Sequence, residues 1–168
     1  MAHVYGLSSE QSGFQQKAAR LASGELSSHA AEVDAKARFP KESVAALARE
    51  GFFGLCVPRE FGGAGQGPRV FAACAEELAQ GCGSTAMIFV MHVAAAQAIA
   101  SSTTLTRKDA VLRGMAAGKH LTTLAFSEKG SRSQFWAPVS ALVENGGGFV
   151  TSAEKSWVTS AHHADSYV

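Results

Sequence analysis

The sequence predicts an α+β fold, in which a helical region precedes a region of short antiparallel strands. Apolar residues recur at helical spacing up to about residue 118, whereas beyond residue 119 they fall in short β-branched or aromatic segments. Apolar residues make up 46% of the 168 residues, which is enough for a buried core. We therefore expect a helical domain over residues 1–118 and the start of a β-domain, incomplete at its end, over residues 119–168.

The first helices are predicted from composition and from the residues that end them. Residues 9–36 are rich in alanine with scattered apolar positions, which predicts one helix, or two if Ser23 and Gly24 interrupt it. The segment "FPKESVAALAREG" predicts a short helix, because Pro40 suits a first helical turn and Gly51 suits a left-handed end.

Three further helices follow. Apolar residues at helical spacing predict one over residues 68–81. A long helix over about 85–100 is apolar almost all the way round, so we expect it to be the buried central helix. A last helix ends near Gly118.

Strands are predicted for the segments "HLTTLAFSE", "APVSALVEN", "GFVTSAEKSWVTS" and "DSYV". The letters "ENGGG" stand between the second and third of these. Glycine and asparagine accept the left-handed backbone that tight turns require, so these letters predict a hairpin. We expect the strands to pair in antiparallel fashion.

Charge, cysteines and hydropathy exclude several classes of protein. The formal charge of +1, with both signs spread along the chain, gives no reason to expect nucleic acid or an anionic membrane as a partner. Cys56, Cys74 and Cys82 form no C-x-x-C pair, so we expect core residues in a reducing compartment rather than a disulfide framework or a zinc site. His92 and Gln97 break the most apolar segment, and no signal peptide is recognised, so we expect a cytoplasmic protein without a membrane span.

The stretch "GFFGLCVPREFGGAG", residues 51–65, has two interpretations. One is a glycine loop that binds phosphate, and the other is a sharp bend between two packed helices. The glycines miss the G-x-G-x-x-G spacing and lie among helices rather than in a βαβ unit. The sequence therefore favours the bend, which Pro58 and the glycines permit.

Histidines offer two further candidates. His92 lies on an almost wholly apolar helix, which indicates a hydrogen-bonded core histidine, with a pocket-lining role as the alternative. The letters "HHAD" suggest a metal site, but on a strand His162 and His163 face opposite sides and no third ligand has suitable spacing. We therefore expect no metal.

Two β-rich segments, "LAFSEKGSRSQF" and "KSWVTSAHHAD", carry the residues best suited to a cofactor. Their hydroxyls can bond a heteroaromatic ring, and Trp157 adds a flat apolar face. These residues suit a neutral planar cofactor; ordinary strand hydroxyls that face solvent are the alternative. The hydroxyls are those of Ser127, Ser131, Ser133 and Thr159.

The order of four motifs resembles the acyl-CoA dehydrogenase family of flavoproteins. They are "FPKESVAALAREGFFGLCVPREFGGAG", "STAMIFVMH", "AFSEKGSRSQ" and "NGGGFVTSAEKSWVTSAHHADSYV", and they extend over nearly the whole chain. The last is the most diagnostic, since it follows the family's pattern of glycine turn, strand, Lys, Trp, branched residue, Thr and Ala-Asp. The resemblance implies a helical N-terminal domain followed by the beginning of an antiparallel β-barrel, with residues 51–65 as an interhelical bend.

The resemblance also implies roles for individual residues. In the cofactor site, Ser127 contacts the flavin through its hydroxyl, beside the backbone of Ala125 and Phe126. Trp157 packs on the flavin, and Thr159 supplies a donor near flavin N5. Ser133 is implied to meet the acyl-CoA chain near its pantetheine. The central helix is expected to form one pocket wall, with Met87, Phe89 and Met91 either as substrate contacts or as plain core residues.

The implied activity is FAD-dependent α,β-dehydrogenation of an acyl-CoA thioester in fatty acid metabolism. An electron-transfer flavoprotein or a similar acceptor is the implied partner, and a homodimer or homotetramer is the implied assembly. The reaction needs a carboxylate base. Glu128 occupies the family's non-catalytic glutamate position, and the other nearby carboxylates are expected to be exposed. We therefore assign no catalytic residue within the chain and expect the base beyond Val168, in a C-terminal helical domain.

The chain departs from the family pattern beside the expected cofactor. Many members read Thr-Glu-Pro-Gly-Ala-Gly-Ser-Asp where residues 127–134 read "SEKGSRSQ". Lys129 and Arg132 change the local charge, which keeps flavin monooxygenases and acyl-CoA oxidases on the same scaffold as alternatives. A non-catalytic helical interaction module is a third alternative, although unpaired terminal strands would make it prone to aggregation.

Overall fold

The computed structural model describes residues 5–132 and 134–168. Within these residues the α-helices are α1 Ser9–Leu21, α2 Ser27–Ala35, α3 Lys41–Arg49, α4 Pro68–Gly81, α5 Gly83–Ser101 and α6 Lys108–Ala116. The strands are β1 Thr122–Thr123, β2 Val143–Asn145, β3 Gly148–Val150 and β4 Ser166–Tyr167. The predicted order, helices first and strands afterwards, is confirmed.

A π-helical turn, Ala22–Leu26, joins α1 to α2 and contains the predicted interruption at Ser23 and Gly24. α4 packs closely against this turn. A Cβ atom added at Gly81 would lie only 2.4 Å from the carbonyl oxygen of Ala22. Glycine is therefore required at this helix end because two backbones approach each other there.

The bend between α3 and α4 confirms the interpretation of residues 51–65. Gly51 ends α3 with φ at +80°, and two 3₁₀ turns follow, Phe52–Gly54 and Arg59–Phe61. A Cβ atom at Gly63 would lie 2.1 Å from the carbonyl oxygen of Val57, so the glycines let the loop fold tightly on itself.

α5 is the central helix of the core, as predicted. Phe89 on α5 meets Phe52 edge-on at 6.0 Å and Phe71 at 5.5 Å between ring centroids. By length and composition alone, α5 could cross a membrane. In this fold it packs against α4, α6 and the bend, which is the other setting in which such an apolar helix occurs.

The cysteines are free thiols, and two of the three have the core burial that the sequence predicts. Cys74 and Cys82 are buried, whereas Cys56 is half-buried. Burial raises the pKa of Cys74 to about 12 and that of Cys56 to about 11, because the thiolate is poorly solvated. Both side chains therefore remain protonated at neutral pH.

The strands confirm one prediction and correct two. β2 and β3 form the predicted antiparallel hairpin, with Glu144 opposite Phe149. β1 and β4 instead pair in parallel, because the intervening chain returns and enters β4 in the direction of β1. The strand expected through "KSWVTS" is reduced to a bridge at Lys155, and from Trp157 onward the chain turns, since Trp157 and Ser160 have positive φ angles that an extended strand cannot have.

Candidate cofactor site

The first predicted cofactor segment, residues 125–127, follows β1 directly. Its start is fixed by two backbone hydrogen bonds: the amide of Ala125 donates to the carbonyl of Val168 at 2.7 Å, and the amide of Val168 donates to Thr123 at 3.0 Å. β1 itself is buried, with Thr122 0% and Thr123 1% exposed. The parallel β1–β4 pair therefore sets the path of this segment.

The second predicted segment, around Trp157, runs alongside the first. The amide of Ser156 donates to the carbonyl of Ser127 at 2.9 Å, and the amide of Lys129 donates to the carbonyl of Glu154 at 3.0 Å. Between these bonds Glu128 and Lys155 form an antiparallel bridge. The structure thus brings together residues that are about thirty positions apart in the sequence.

Glu128 holds this pairing in place. Its buried carboxylate accepts hydrogen bonds from the amide of Val139 at 2.8 Å, the amide of Ser140 at 2.7 Å and the ammonium of Lys155 at 2.7 Å. The hydroxyl of Ser140 donates a further bond. Lys155 first, and then the Ser140 donors, lower the pKa of Glu128 to about 2. We call this arrangement the Glu128 clasp.

Sequence reasoning missed the partners in the Glu128 clasp. Ser140 and Lys155 lie twelve and twenty-seven residues from Glu128 and share no motif spacing with it. The only sequence signal is a glutamate within an otherwise apolar or hydroxyl-rich segment, "LAFSE".

Trp157 presents its indole outward. Its backbone is left-handed, with φ at +56°, and the residue is 94% exposed. Thr159 is half-buried two residues later, in the turn whose carbonyl at Val158 accepts from the amide of Ala161. An uncovered aromatic face therefore stands beside the segment that carries Ser127.

The ring of Phe126, whose backbone was predicted to lie at the cofactor, begins a row of aromatic rings whose other two members sequence reasoning did not select. It stacks nearly parallel on Phe135, with 6.5 Å between centroids, and Phe135 meets Trp136 edge-on at 5.0 Å. The three residues are 41%, 53% and 70% exposed, in chain order. Adjacent aromatic residues in a polar segment, "SQFWAP", were the available signal.

The predicted substrate residues do not share one surface. Met87 and Met91 lie one helical turn apart on α5, the first 51% exposed and the second half-buried. Phe89 is fully buried among core aromatics, as the alternative of a plain core residue predicts. Ser133 lies outside the described residues.

The histidines have structural surroundings. His92 is fully buried, and its ring nitrogens bond the backbone of Phe53 and Thr122, as predicted for a core histidine. His162 and His163 lie in a turn rather than on a strand, so the argument from opposite strand faces is wrong. The ring of His163 stacks on Phe39 with 3.8 Å between centroids.

These residues fit a planar heteroaromatic cofactor. Two paired segments supply an open aromatic face at Trp157 and the half-buried hydroxyl of Ser127. Among the described residues, no group accepts a hydrogen bond from the amides of Phe126 and Ser127. These donors can therefore serve a ligand.

Comparison with known proteins places this geometry in a family. Residues 8–119 match the family described as "Acyl-CoA dehydrogenase, N-terminal domain". The chain is 28% identical over 165 residues to the short-chain specific acyl-CoA dehydrogenase of Clostridium acetobutylicum, an alignment that covers 98% of this chain and 44% of that protein. The chain spans less than half the length of the curated relatives it matches.

Solved structures share the fold. Butyryl-CoA dehydrogenase from Megasphaera elsdenii superposes with a TM-score of 0.84 at 22% identity, over 96% of this chain and 43% of that one. The FAD complex of PigA superposes with a TM-score of 0.82 at 24% identity, also over 96% of this chain and 43% of that one. Since the matching family domain covers most of the helical region, this chain belongs to the acyl-CoA dehydrogenase family.

Proposed function

We propose that the protein binds FAD at the paired segments and catalyses α,β-dehydrogenation of an acyl-CoA thioester. The observation that carries this proposal is the pairing of residues 125–129 with residues 154–157, which brings Ser127 beside the exposed face of Trp157. Family membership supports it, as do relatives named acyl-CoA dehydrogenases and a relative of this fold in complex with FAD.

In this proposal each cofactor residue has a defined task. The backbone of Ala125 and Phe126 and the hydroxyl of Ser127 bond the flavin ring, Trp157 packs against it, and Thr159 donates near its N5. Bound FAD would supply the acceptor for the hydride that leaves the substrate. The chain's own contribution is to orient the ring and to exclude water from one of its faces.

The general base lies outside these residues in our proposal. Glu128 cannot serve, because four donors occupy its carboxylate and its pKa of about 2 leaves it a very weak base. Glu154 is exposed and paired with Lys129, and Asp165 accepts a bond from the amide of Leu121. A carboxylate from another part of the full protein is therefore proposed for α-proton removal.

Several features of the whole protein belong to the same proposal. The exposed hairpin β2–β3 would be covered by further strands of a β-barrel, with the domain boundary near residue 118. Met87 and Met91 would line the acyl pocket, and Ser133 would meet the pantetheine. The enzyme would act in the cytoplasm, in fatty acid metabolism, as a homodimer or homotetramer that passes electrons to an electron-transfer flavoprotein.

The cofactor residues are tested by titrating FAD into the apo form of the intact protein. Trp157→Ala and Thr159→Ala each remove an aromatic face or a hydrogen bond worth roughly 1 kcal/mol, so we expect FAD to bind about fivefold more weakly. Phe149→Ala is the matched control, since this ring is 71% exposed and lies on the hairpin. Unchanged FAD affinity in both test variants would remove these residues from the site.

The reaction is tested by anaerobic mixing of the flavin-loaded protein with a panel of acyl-CoAs. Bleaching of the visible flavin band is expected, because dehydrogenation reduces the flavin without oxygen. A flavin that stays oxidised with every acyl-CoA but is reduced by a supplied reductant, and then reacts with oxygen, would indicate a monooxygenase instead.

A further inference from the structure

Two polar side chains, His92 and Gln97, interrupt the apolar helix α5, and both bind backbone carbonyls in the bend at residues 51–65. Nε2 of His92 lies 3.0 Å from the carbonyl oxygen of Phe53, and the amide nitrogen of Gln97 donates to the carbonyl of Cys56 at 3.0 Å. The bend is a loop whose backbone carbonyls need hydrogen-bond partners, and these two side chains of α5 bond two of those carbonyls. His92 differs from Gln97 because it has a second partner.

That second partner is the first residue of β1. The backbone amide of Thr122 donates to Nδ1 of His92 at 3.1 Å. An amide can only donate, so Nδ1 carries no proton, and Nε2 must carry the proton that it donates to Phe53. The ring is therefore neutral, with one donor and one acceptor, both used between backbone groups of different elements.

The position of Thr122 matters for the cofactor segment. Thr122 precedes Ala125 by three residues, and its hydroxyl donates to the carbonyl of Ser166 on β4. Val168, which directly follows β4, in turn accepts a hydrogen bond from the amide of Ala125. A shift of Thr122 would therefore displace both strands on which residues 125–127 depend.

We propose that His92 is a positioning residue for the FAD site: its neutral ring fixes β1, and through it residues 125–127, to the helical bend. This inference rests on the proposed function, since it assumes that residues 125–127 bind FAD. It assigns His92 no contact with the cofactor. The ring acts through the amide of Thr122, in a fully buried setting where an unpaired amide is costly.

Two substitutions separate this role from simple space filling. His92→Phe keeps a ring that can pack on Phe53 but removes both hydrogen bonds, whereas His92→Gln retains one donor and one acceptor. Leu78→Ala is the control, because Leu78 is fully buried in the same core but lies on α4. It lowers stability without touching the link to β1.

The experiment measures the FAD dissociation constant and the melting temperature of each apo variant of the intact protein. We expect His92→Phe to weaken FAD binding about tenfold, and His92→Gln to recover most of this loss. Leu78→Ala should lower the melting temperature at least as much as His92→Phe, yet change FAD affinity less than twofold. Amide exchange at Thr122 in the wild type should be as slow as in the core helices.

Three outcomes would overturn the inference: wild-type FAD affinity in His92→Phe, no recovery in His92→Gln, or a loss in Leu78→Ala equal to that in His92→Phe. Fast exchange at Thr122 would overturn it without any variant. If the wild type itself binds no FAD, the proposed function fails. If the wild type binds FAD and His92→Phe binds it equally well, only the inference about His92 fails.

Discussion

The helical region and the β-region of this chain are stabilised by different forces. The helices bury two apolar clusters, and α5 contributes to both, whereas Leu121 is the only buried apolar residue after Met115 among the described residues. Beyond Leu121 the buried groups are polar, and the Glu128 clasp holds distant segments together. The helical region is thus a scaffold, and the β-region is a surface shaped by hydrogen bonds and open to a ligand.

The largest effect is expected from a core deletion. Phe52→Ala should lower the free energy of unfolding by about 3–5 kcal/mol, because Phe52 is 1% exposed and packs on Phe89. Phe149→Ala, at a residue 71% exposed, should change it by less than about 0.5 kcal/mol. Urea unfolding measures both. Similar losses in the two variants would remove the contrast between the regions.

The pH dependence of the free energy of unfolding gives a second test of this comparison. Burial lowers the pKa of His92 to about 4, so between pH 6.5 and 4 the unfolded state binds a proton that the folded state does not. The contribution of neutral His92 to the free energy of unfolding is fully present above pH 6.5. It is lost as pH falls toward 4, by about 3 kcal/mol in total. Carboxylates with ordinary pKa values titrate below pH 5, so the loss of stability between pH 6.5 and 5 does not come from them.

His92→Gln is the control for this titration, because glutamine does not titrate. Urea unfolding at pH 7 and pH 5 should show a smaller loss of stability in the variant than in the wild type. Equal losses would mean that His92 is not the group responsible.

The third prediction concerns the Glu128 clasp. In Glu128→Gln the new NH₂ group must face a donor, since all four partners of the carboxylate are donors. Amide exchange at Val139 and Ser140 should accelerate, while exchange in α4 and α5 stays unchanged. NMR detects both. Accelerated exchange throughout the helices would show that the two regions unfold as one unit.

The clasp also has its own pH range. The pKa of Glu128 is lowered to about 2, so its contribution is present above pH 4.5 and is lost as pH falls toward 2. Protection of the Val139 and Ser140 amides should therefore persist at pH 4.5, where the His92 contribution is already mostly lost. Loss of that protection at pH 5 would contradict the assigned hydrogen bonds.

The smallest effect is expected at the ion pair between Lys129 and Glu154. Both side chains are 73% exposed, and their charged atoms lie 3.1 Å apart. A double-mutant cycle with alanine at both positions should give a coupling of about 0.2–1 kcal/mol that weakens with salt. A larger coupling would mean that this pair is shielded from water.

The helical region could be predicted from sequence because its signals are local. Helical spacing predicted α4, a long run that is apolar almost all the way round predicted α5, and Gly51 predicted the end of α3. The β-region was predicted less well, because its contacts join distant residues. The parallel pairing of β1 with β4 joins residues more than forty positions apart, and no local pattern encodes it.

The candidate site shows the same division. Ser127 and Trp157 were found because each lies in a recognisable motif, and in the structure their segments are neighbours. Their assigned contacts with FAD stay predictions. Phe135 and the clasp partner Ser140 were missed, since single aromatic rings and serines are common in proteins. Their roles follow only from the residues that contact them, Phe126 and Glu128.

The π-helical turn at Ala22–Leu26 bears on how relatives of different length can be aligned. A π turn is closed by i→i+5 hydrogen bonds and takes up one residue more than an α-helical turn of about 3.6 residues, for nearly the same rotation about the helix axis. Loss of one residue here would therefore restore α-geometry while α1 and α2 keep the faces that they present to their neighbours, Ala18 among them. A relative one residue shorter at this point is therefore aligned with its gap inside Ala22–Leu26, and it buries the same stripe of its first helix.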